Sequence, residues 1–232
     1  MIYIASNIAV LRRKINLSIE KLSELTGISV DRLLSCESGN IEPDLNELVK
    51  LADALNVPVA KLLTHDYSLL SEKLNSFSFK FLALDIDGVL TDAGMYYTES
   101  GDELKKFNSK DGLAIKTLTA AGFQVGFVSS GINSTIIESR AALLGVQKVY
   151  VGTWKKAEIL EQWCNELNIG FENIAYVGDD TNDLPAIAKC GLTACPADAA
   201  DVVKQNVDIV LSLKGGEACV REFVDKYIME IK

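Results

Sequence analysis

A parallel β-sheet covered by helices on both faces, preceded by a small all-helical unit, is the fold that this 232-residue sequence predicts. Three observations carry the prediction. From Phe79 onward, short apolar runs alternate with amphipathic helical stretches, the pattern of βαβ units. Three of those runs end in polar clusters, beginning at Asp85, Ser129 and Gly178, as expected where an α/β sheet presents ligands at its carboxyl edge. Residues 1–66, in contrast, show helical spacing alone, punctuated by capping residues.

In the helical unit, Ser18 precedes a helix containing Leu22 and Leu25, and Gly27 closes it. Ser29 opens a second helix, with Leu33 and Leu34, that ends near Gly39-Asn40. Pro43-Asp44 introduces a third, with Leu45, Leu48, Leu51, Ala52 and Leu55 at helical spacing. Two short helices joined through Thr26-Gly27-Ile28 form a helix-turn-helix signature. Residues 67–77 read as a linker, and 78–232 as the α/β domain. There the order is strand, hairpin, helix, strand, helix, strand, helix, strand, helix, a Rossmann-like arrangement. The hairpin pairs 95–98 with 103–107 through the turn Glu99-Ser100-Gly101-Asp102.

Composition narrows the function. Hydrophobic residues make up 48% of the chain, enough for packed cores. A net charge of −9 disfavours a polyanion-binding surface. Five scattered cysteines without a Cys-x-x-Cys pair read as reduced core thiols of a cytoplasmic protein. The single histidine, His65, lies outside every motif, which disfavours histidine-based catalysis. No apolar run has bilayer length, and the apolar start precedes Arg12-Arg13-Lys14, the reverse of a secretory signal.

The acids carry the chemistry. Asp85-Ile86-Asp87-Gly88-Val89 follows the run Phe81-Leu82-Ala83-Leu84, and two acids two residues apart repel unless a cation joins them. Hard oxygen ligands of this kind suit magnesium. Ile174-Ala175-Tyr176-Val177 leads into Gly178-Asp179-Asp180-Thr181-Asn182-Asp183, and Val125-Gly126-Phe127-Val128 into Ser129-Ser130-Gly131. Lys155-Lys156 stands between the last two. This ordered set resembles the four motifs of the haloacid dehalogenase superfamily of phosphohydrolases, over roughly residues 79–231. Thr91-Asp92-Ala93-Gly94, Phe107-Asn108-Ser109-Lys110-Asp111-Gly112 and Gly215-Gly216-Glu217-Ala218-Cys219-Val220-Arg221-Glu222 resemble the 3-deoxy-D-manno-octulosonate 8-phosphate phosphatases. The 9-phosphate phosphatases of sialic-acid-type sugars share these segments.

The resemblance implies a set of roles. Asp85 is the nucleophile, Asp87 the general acid and base, and Lys156 a point charge for the phosphate. Mg2+ is held by the Asp85 side chain, the Asp87 backbone carbonyl and Asp179, with Asp180 a weaker alternative to Asp179. Asp183 holds a metal-bound water or the lysine. Ser129, counted forward from Gly112, and Ser130, counted back from Arg140, compete for the second-motif hydroxyl, with Ser129 preferred as the first after the strand. Asn108, Lys110, Asp111, Gly112, Lys116, Gly131 and Arg140 fall at substrate-binding positions. The hairpin, within 93–107, replaces a cap domain and makes homotetramer contacts. Two departures concern the sugar: the arginine that follows the second-motif glycine in octulosonate phosphatases is Ile132 or Gly131 here, and Lys110 replaces an arginine. Octulosonate 8-phosphate and nonulosonate 9-phosphate substrates both stand.

Residues 2–64 resemble the phage-repressor type of helix-turn-helix, which implies DNA as a partner. Charge opposes it: residues 1–66 hold seven basic side chains against nine acids, a net of −2, and Asp31 opens the recognition helix. DNA binding and a role in protein contact both remain open. So does a rival to the enzyme, a transcription regulator whose phosphatase-like domain senses a phosphorylated sugar.

Overall fold

The computed structural model describes residues 3–64, 66–153 and 155–229; His65 and the start of the apolar stretch at Met1-Ile2 lie outside the described residues. Two compact units divide between Asn75 and Ser76. The first contains α1 (Ile4–Lys14), α2 (Ile19–Thr26), α3 (Val30–Glu37), α4 (Leu45–Ala54), α5 (Val59–Thr64) and α6 (Tyr67–Ser76). Its helix starts follow from capping chemistry. Ser18 accepts the Lys21 N–H, Ser29 the Arg32 N–H, and Asp44 and Glu47 complete a reciprocal capping box. Gly27, at φ +68°, supplies the left-handed turn after α2. Ile8, Leu22, Leu33, Leu51 and Leu62 are fully buried in the core of this unit. Leu25, Leu34 and Leu45 share the leucine pattern but are exposed, because the buried stripes run through Leu22/Thr26, Leu33/Cys36 and Leu48/Leu51/Ala52.

Residues 67–76, read from sequence as part of a linker, form α6. Asp66 caps this helix by accepting the Ser68 and Leu69 N–H groups, and Tyr67 packs on the core of the first unit. The second unit holds β1 (Phe81–Leu84), the hairpin strands β2 (Tyr96–Tyr97) and β3 (Glu103–Leu104), α7 (Ser109–Ala120), β4 (Gln124–Ser129), α8 (Ser134–Leu144), β5 (Lys148–Val151), α9 (Lys156–Leu167), β6 (Ile174–Val177), α10 (Leu184–Ile187), β7 (Leu192–Cys195), α11 (Asp201–Asn206), β8 (Ile209–Val210) and α12 (Cys219–Phe223). Six parallel strands pair in the order β5-β4-β1-β6-β7-β8. β7 and β8 were absent from the sequence expectation, since Leu-Thr-Ala-Cys and Ile-Val are too short to show a period.

The strand order places the site. β1, β4 and β5 extend to one side, and the chain then crosses to β6 on the other flank of β1, so the order reverses between β1 and β6. In open α/β sheets, ligands bind at such a reversal, outside the carboxyl ends of the strands. Leu84 stands opposite both Phe127 and Val177, so the residues after β1 and β6 and the end of β4 leave the sheet at one level. Both central strands are buried throughout, and for that reason they read as continuous apolar runs. All five cysteines are buried. Among the described residues, no helix is long and apolar enough to cross a membrane.

A candidate active site at the strand tips

Asp85 follows β1 directly and is 4% exposed; its carboxylate accepts the Ile86 N–H at 2.7 Å. Lys156, the first residue of α9, is buried and points its ammonium between two acids, 2.8 Å from Asp85 and 2.6 Å from Asp183. Its neighbour Lys155 is exposed and makes a long pair to Glu158 at 3.9 Å. Asp183 is wholly buried and accepts four donors: Lys156 Nζ and Tyr176 Oη (2.5 Å) on one oxygen, and the Asp179 and Asp180 N–H groups on the other. Asp179 completes the cluster. Oxygens of Asp85, Asp179 and Asp183 all lie within 4.8 Å of one another. Two glycines make this approach possible: a side chain at Gly88 (φ +86°) would collide with the Asp179 carboxylate, and one at Gly178 with Asp183.

Three carboxylates face one ammonium here. Burial first, then the Asp183 charge, raises the Asp85 carboxyl well above its ordinary range, and Lys156 acts in the opposite sense. The same two causes push Asp179 to about 6. Burial would lower Lys156, but Asp85 and Asp183 outweigh it and raise the ammonium instead. The cluster is therefore short of positive charge and offers only oxygen donors, a fit for a hard divalent cation such as Mg2+. Asp180 turns away and caps Thr181.

The Asp87 side chain does not join the cluster. One of its oxygens accepts from Lys105 Nζ at 2.5 Å, and the other faces the loop after β4, 4.0 Å from the position a Cβ would take at Gly131. The two serines of that loop have different tasks. Ser129 is buried and accepts the Gly131 N–H at 3.0 Å, whereas Ser130 is exposed and accepts from Asn182 Nδ2 at 3.2 Å. All three strand tips thus converge.

The other sequence-predicted residues lie at or on α7, apart from Arg140 on α8. Asn108 caps α7 and donates to the Gly216 carbonyl, and Gly216 in turn bonds to Val89 beside the first motif. Asp111 is buried and accepts the Arg221 N–H at 2.7 Å, anchoring α12 on α7; burial pushes its carboxyl to about 6, against the backbone donors that hold it down. Arg140 fills the space over Gly112, lies 5.3 Å from the Phe107 ring centre and donates to Asn108 O. Lys110 and Lys116 are exposed on α7. Within one chain, Asn108, Asp111, Gly112 and Arg140 therefore brace the first-motif loop. Two contributors escaped the sequence reading. Tyr176 carried a signal, since a tyrosine in a doubly buried strand needs a partner for its hydroxyl. Lys105 carried none, standing beside Lys106 in the hairpin segment.

Comparison with known proteins agrees with this geometry. The helix-turn-helix family matches residues 8–62, and the haloacid dehalogenase-like hydrolase family matches residues 109–191. The 3-deoxy-D-manno-octulosonate 8-phosphate phosphatase of Haemophilus influenzae is 41% identical over 148 residues, covering 64% of this chain and 82% of that protein. The chain is a member of the haloacid dehalogenase-like hydrolases. Its second unit is a phosphatase domain of that family, a phosphoric monoester hydrolase. The cobalt-bound structure of the Haemophilus influenzae deoxy-D-mannose-octulosonate 8-phosphate phosphatase is 38% identical with a TM-score of 0.64, covering 68% of this chain and 91% of that one. A Moraxella catarrhalis 3-deoxy-D-manno-octulosonate 8-phosphate phosphatase, in complex with magnesium, phosphate and KDO, is 25% identical with a TM-score of 0.65, covering 70% and 91%.

Proposed function

We propose that this hydrolase is a Mg2+-dependent phosphatase of phosphorylated acidic sugars, of the octulosonate 8-phosphate or nonulosonate 9-phosphate type, acting in the cytoplasm. The observation that carries the reading is the convergence of Asp85, Asp179, Asp183 and Lys156 at the switch point, with Asp87 beside them and outside the cluster. Asp85, Asp179 and the Asp87 backbone carbonyl would hold the cation, which when bound neutralises charge on the cluster and on the phosphate. Asp85 attacks phosphorus, and the ester P–O bond breaks with its electron pair on the sugar oxygen, which takes a proton from Asp87. In the second step Asp87 takes a proton from water, whose oxygen bonds phosphorus while the aspartyl–phosphorus bond breaks. Phosphate leaves and the Asp85 carboxylate is restored. Lys156 fixes Asp85 throughout, Asp183 fixes Lys156, and the loop after β4 would receive the phosphate, with Ser129 its first hydroxyl and Ser130 the alternative.

The substrate class rests on the similar octulosonate phosphatases, and Ile132, 94% exposed beside Gly131, offers no charge for a sugar carboxylate. A homotetramer built through the hairpin would cover Met95, Tyr96, Tyr97 and Leu104, all exposed in the single chain. DNA binding by the first unit is weakened by two arginines already engaged, Arg12 with Glu37 and Arg32 with Glu47. Phosphate release from a panel of sugar phosphates, with Mg2+ or with chelator, tests the enzyme. Turnover lost in Asp85→Asn supports it. Absent turnover on every ester, together with salt-dependent binding to a DNA site, replaces it with the sensor-regulator.

A further inference from the structure

We infer that Lys105 is a positioning residue for Asp87, holding one carboxylate oxygen so that the other is presented to the leaving group. This rests on the role proposed for Asp87. The lysine side chain is 7% exposed, whereas Asp87 above it is 42% exposed, so the ammonium grips Asp87 from within and leaves its outer side open to ligand. The bonded atom is Oδ1, at 2.5 Å, and Oδ2 is the oxygen near Gly131.

Lys105 is itself held. Glu103, two residues earlier in β3, pairs with it at 2.9 Å, and its side chain is 12% exposed. The second Glu103 oxygen accepts from Asn133 Nδ2 at 2.9 Å, which ties the hairpin to the loop that follows the second motif. Lys106, the next residue, pairs instead with Asp92, with its side chain 67% exposed. Asn133, Glu103, Lys105 and Asp87 thus form one chain of polar contacts across the mouth of the site. An isolated surface pair contributes little, but a buried ammonium between two carboxylates has its geometry fixed from both sides. That fixed geometry is what proton delivery needs.

A leaving-group test isolates the role. Expulsion of a sugar alkoxide needs a proton, whereas p-nitrophenolate leaves without one. In Lys105→Met, the ratio of kcat on the sugar phosphate to kcat on p-nitrophenyl phosphate is expected to fall about 100-fold, within the range general acid catalysis contributes. Asp87→Asn should lower the same ratio, and Lys105→Met added to it should lower it no further, because the two residues act as one unit. Lys105→Arg, which keeps the cation, should recover part of the ratio. Equal losses on both esters, no loss on either, or additive losses in the double variant would overturn the inference. Should Lys105→Met fail to fold by circular dichroism, Lys105→Gln and Glu103→Gln are read in the same way. Wild-type protein that cleaves neither ester would instead refute the phosphatase reading of the site.

Discussion

Lys156→Met tests how the acid cluster is held together. Methionine keeps the length and apolar stem of lysine, so packing is nearly preserved and the charge alone is removed. What is lost is large. Lys156 is 3% exposed and bridges Asp85 at 2.8 Å and Asp183 at 2.6 Å, so the variant leaves buried carboxylates without their cation. Removing one partner of a buried pair costs about 3–5 kcal/mol. With a urea slope of about 2 kcal/mol per molar, the unfolding midpoint of the phosphatase unit should fall by about 2 M in chelator. The loss should also depend on pH. Asp85 already holds its proton more tightly than an ordinary aspartate, through burial and then Asp183, and without Lys156 it holds it more tightly still. While that proton is held the carboxyl is neutral and the missing cation matters little, so the destabilisation should grow as pH rises, compared between pH 5 and pH 8. Urea unfolding of both proteins across this range, without Mg2+, makes the comparison. A loss that is constant with pH would mean that Lys156 serves packing, and the electrostatic reasoning would be wrong.

Other perturbations have equally definite outcomes. Gly88→Ala forces a side chain into left-handed backbone and against the Asp179 carboxylate, so it should cost about 1–2 kcal/mol in urea unfolding and weaken Mg2+ binding measurably by calorimetry. The folded-state value of about 6 for Asp179 lies above the unfolded aspartate value, so metal-free stability should decline as pH rises from 4 through 6, by up to ~3 kcal/mol. Mg2+ displaces that proton, so the Tm increase on adding Mg2+ should widen over the same window; a Tm gap independent of pH would contradict it. Ser18→Ala removes the cap of α2 and should destabilise the first unit by about 1 kcal/mol, read as loss of helical circular dichroism at lower temperature. Tyr176→Phe deletes one of four donors to Asp183 and should lower stability by about 1.5–3 kcal/mol, the worth of a hydrogen bond to a charged group, in the same urea assay.

Much of the site was legible because its parts are local. Asp85, Ser129 and Asp179 each follow an apolar run, and a parallel sheet carries all such run ends to one edge, so spacing alone brought them together. Helix starts at Ser18, Ser29 and Asp44 were legible for a similar reason, since capping is written within four residues. What escaped was tertiary or very short. β7 and β8 take their hydrogen bonds from neighbours and carry no periodic signal of their own. Lys105 and Lys106 are indistinguishable in sequence, and only the fold sends one to Asp87 and the other to Asp92. The partners of Asn108, Asp111 and Arg140, namely Gly216, Arg221 and Phe107, lie over long sequence separations and could not be read from the sequence. Leu25, Leu34 and Leu45 show the converse: an apolar residue at helical spacing is not thereby a core residue.

Calorimetric titration of Mg2+ into the intact protein, and into Asp85→Asn and Asp179→Asn, probes the shared cation most directly. A single binding event in the wild type that disappears in both variants is the expected result, since each acid comes from a different strand tip and neither suffices alone. Undiminished Mg2+ affinity in either variant would show that β1 and β6 do not clasp one ion between them.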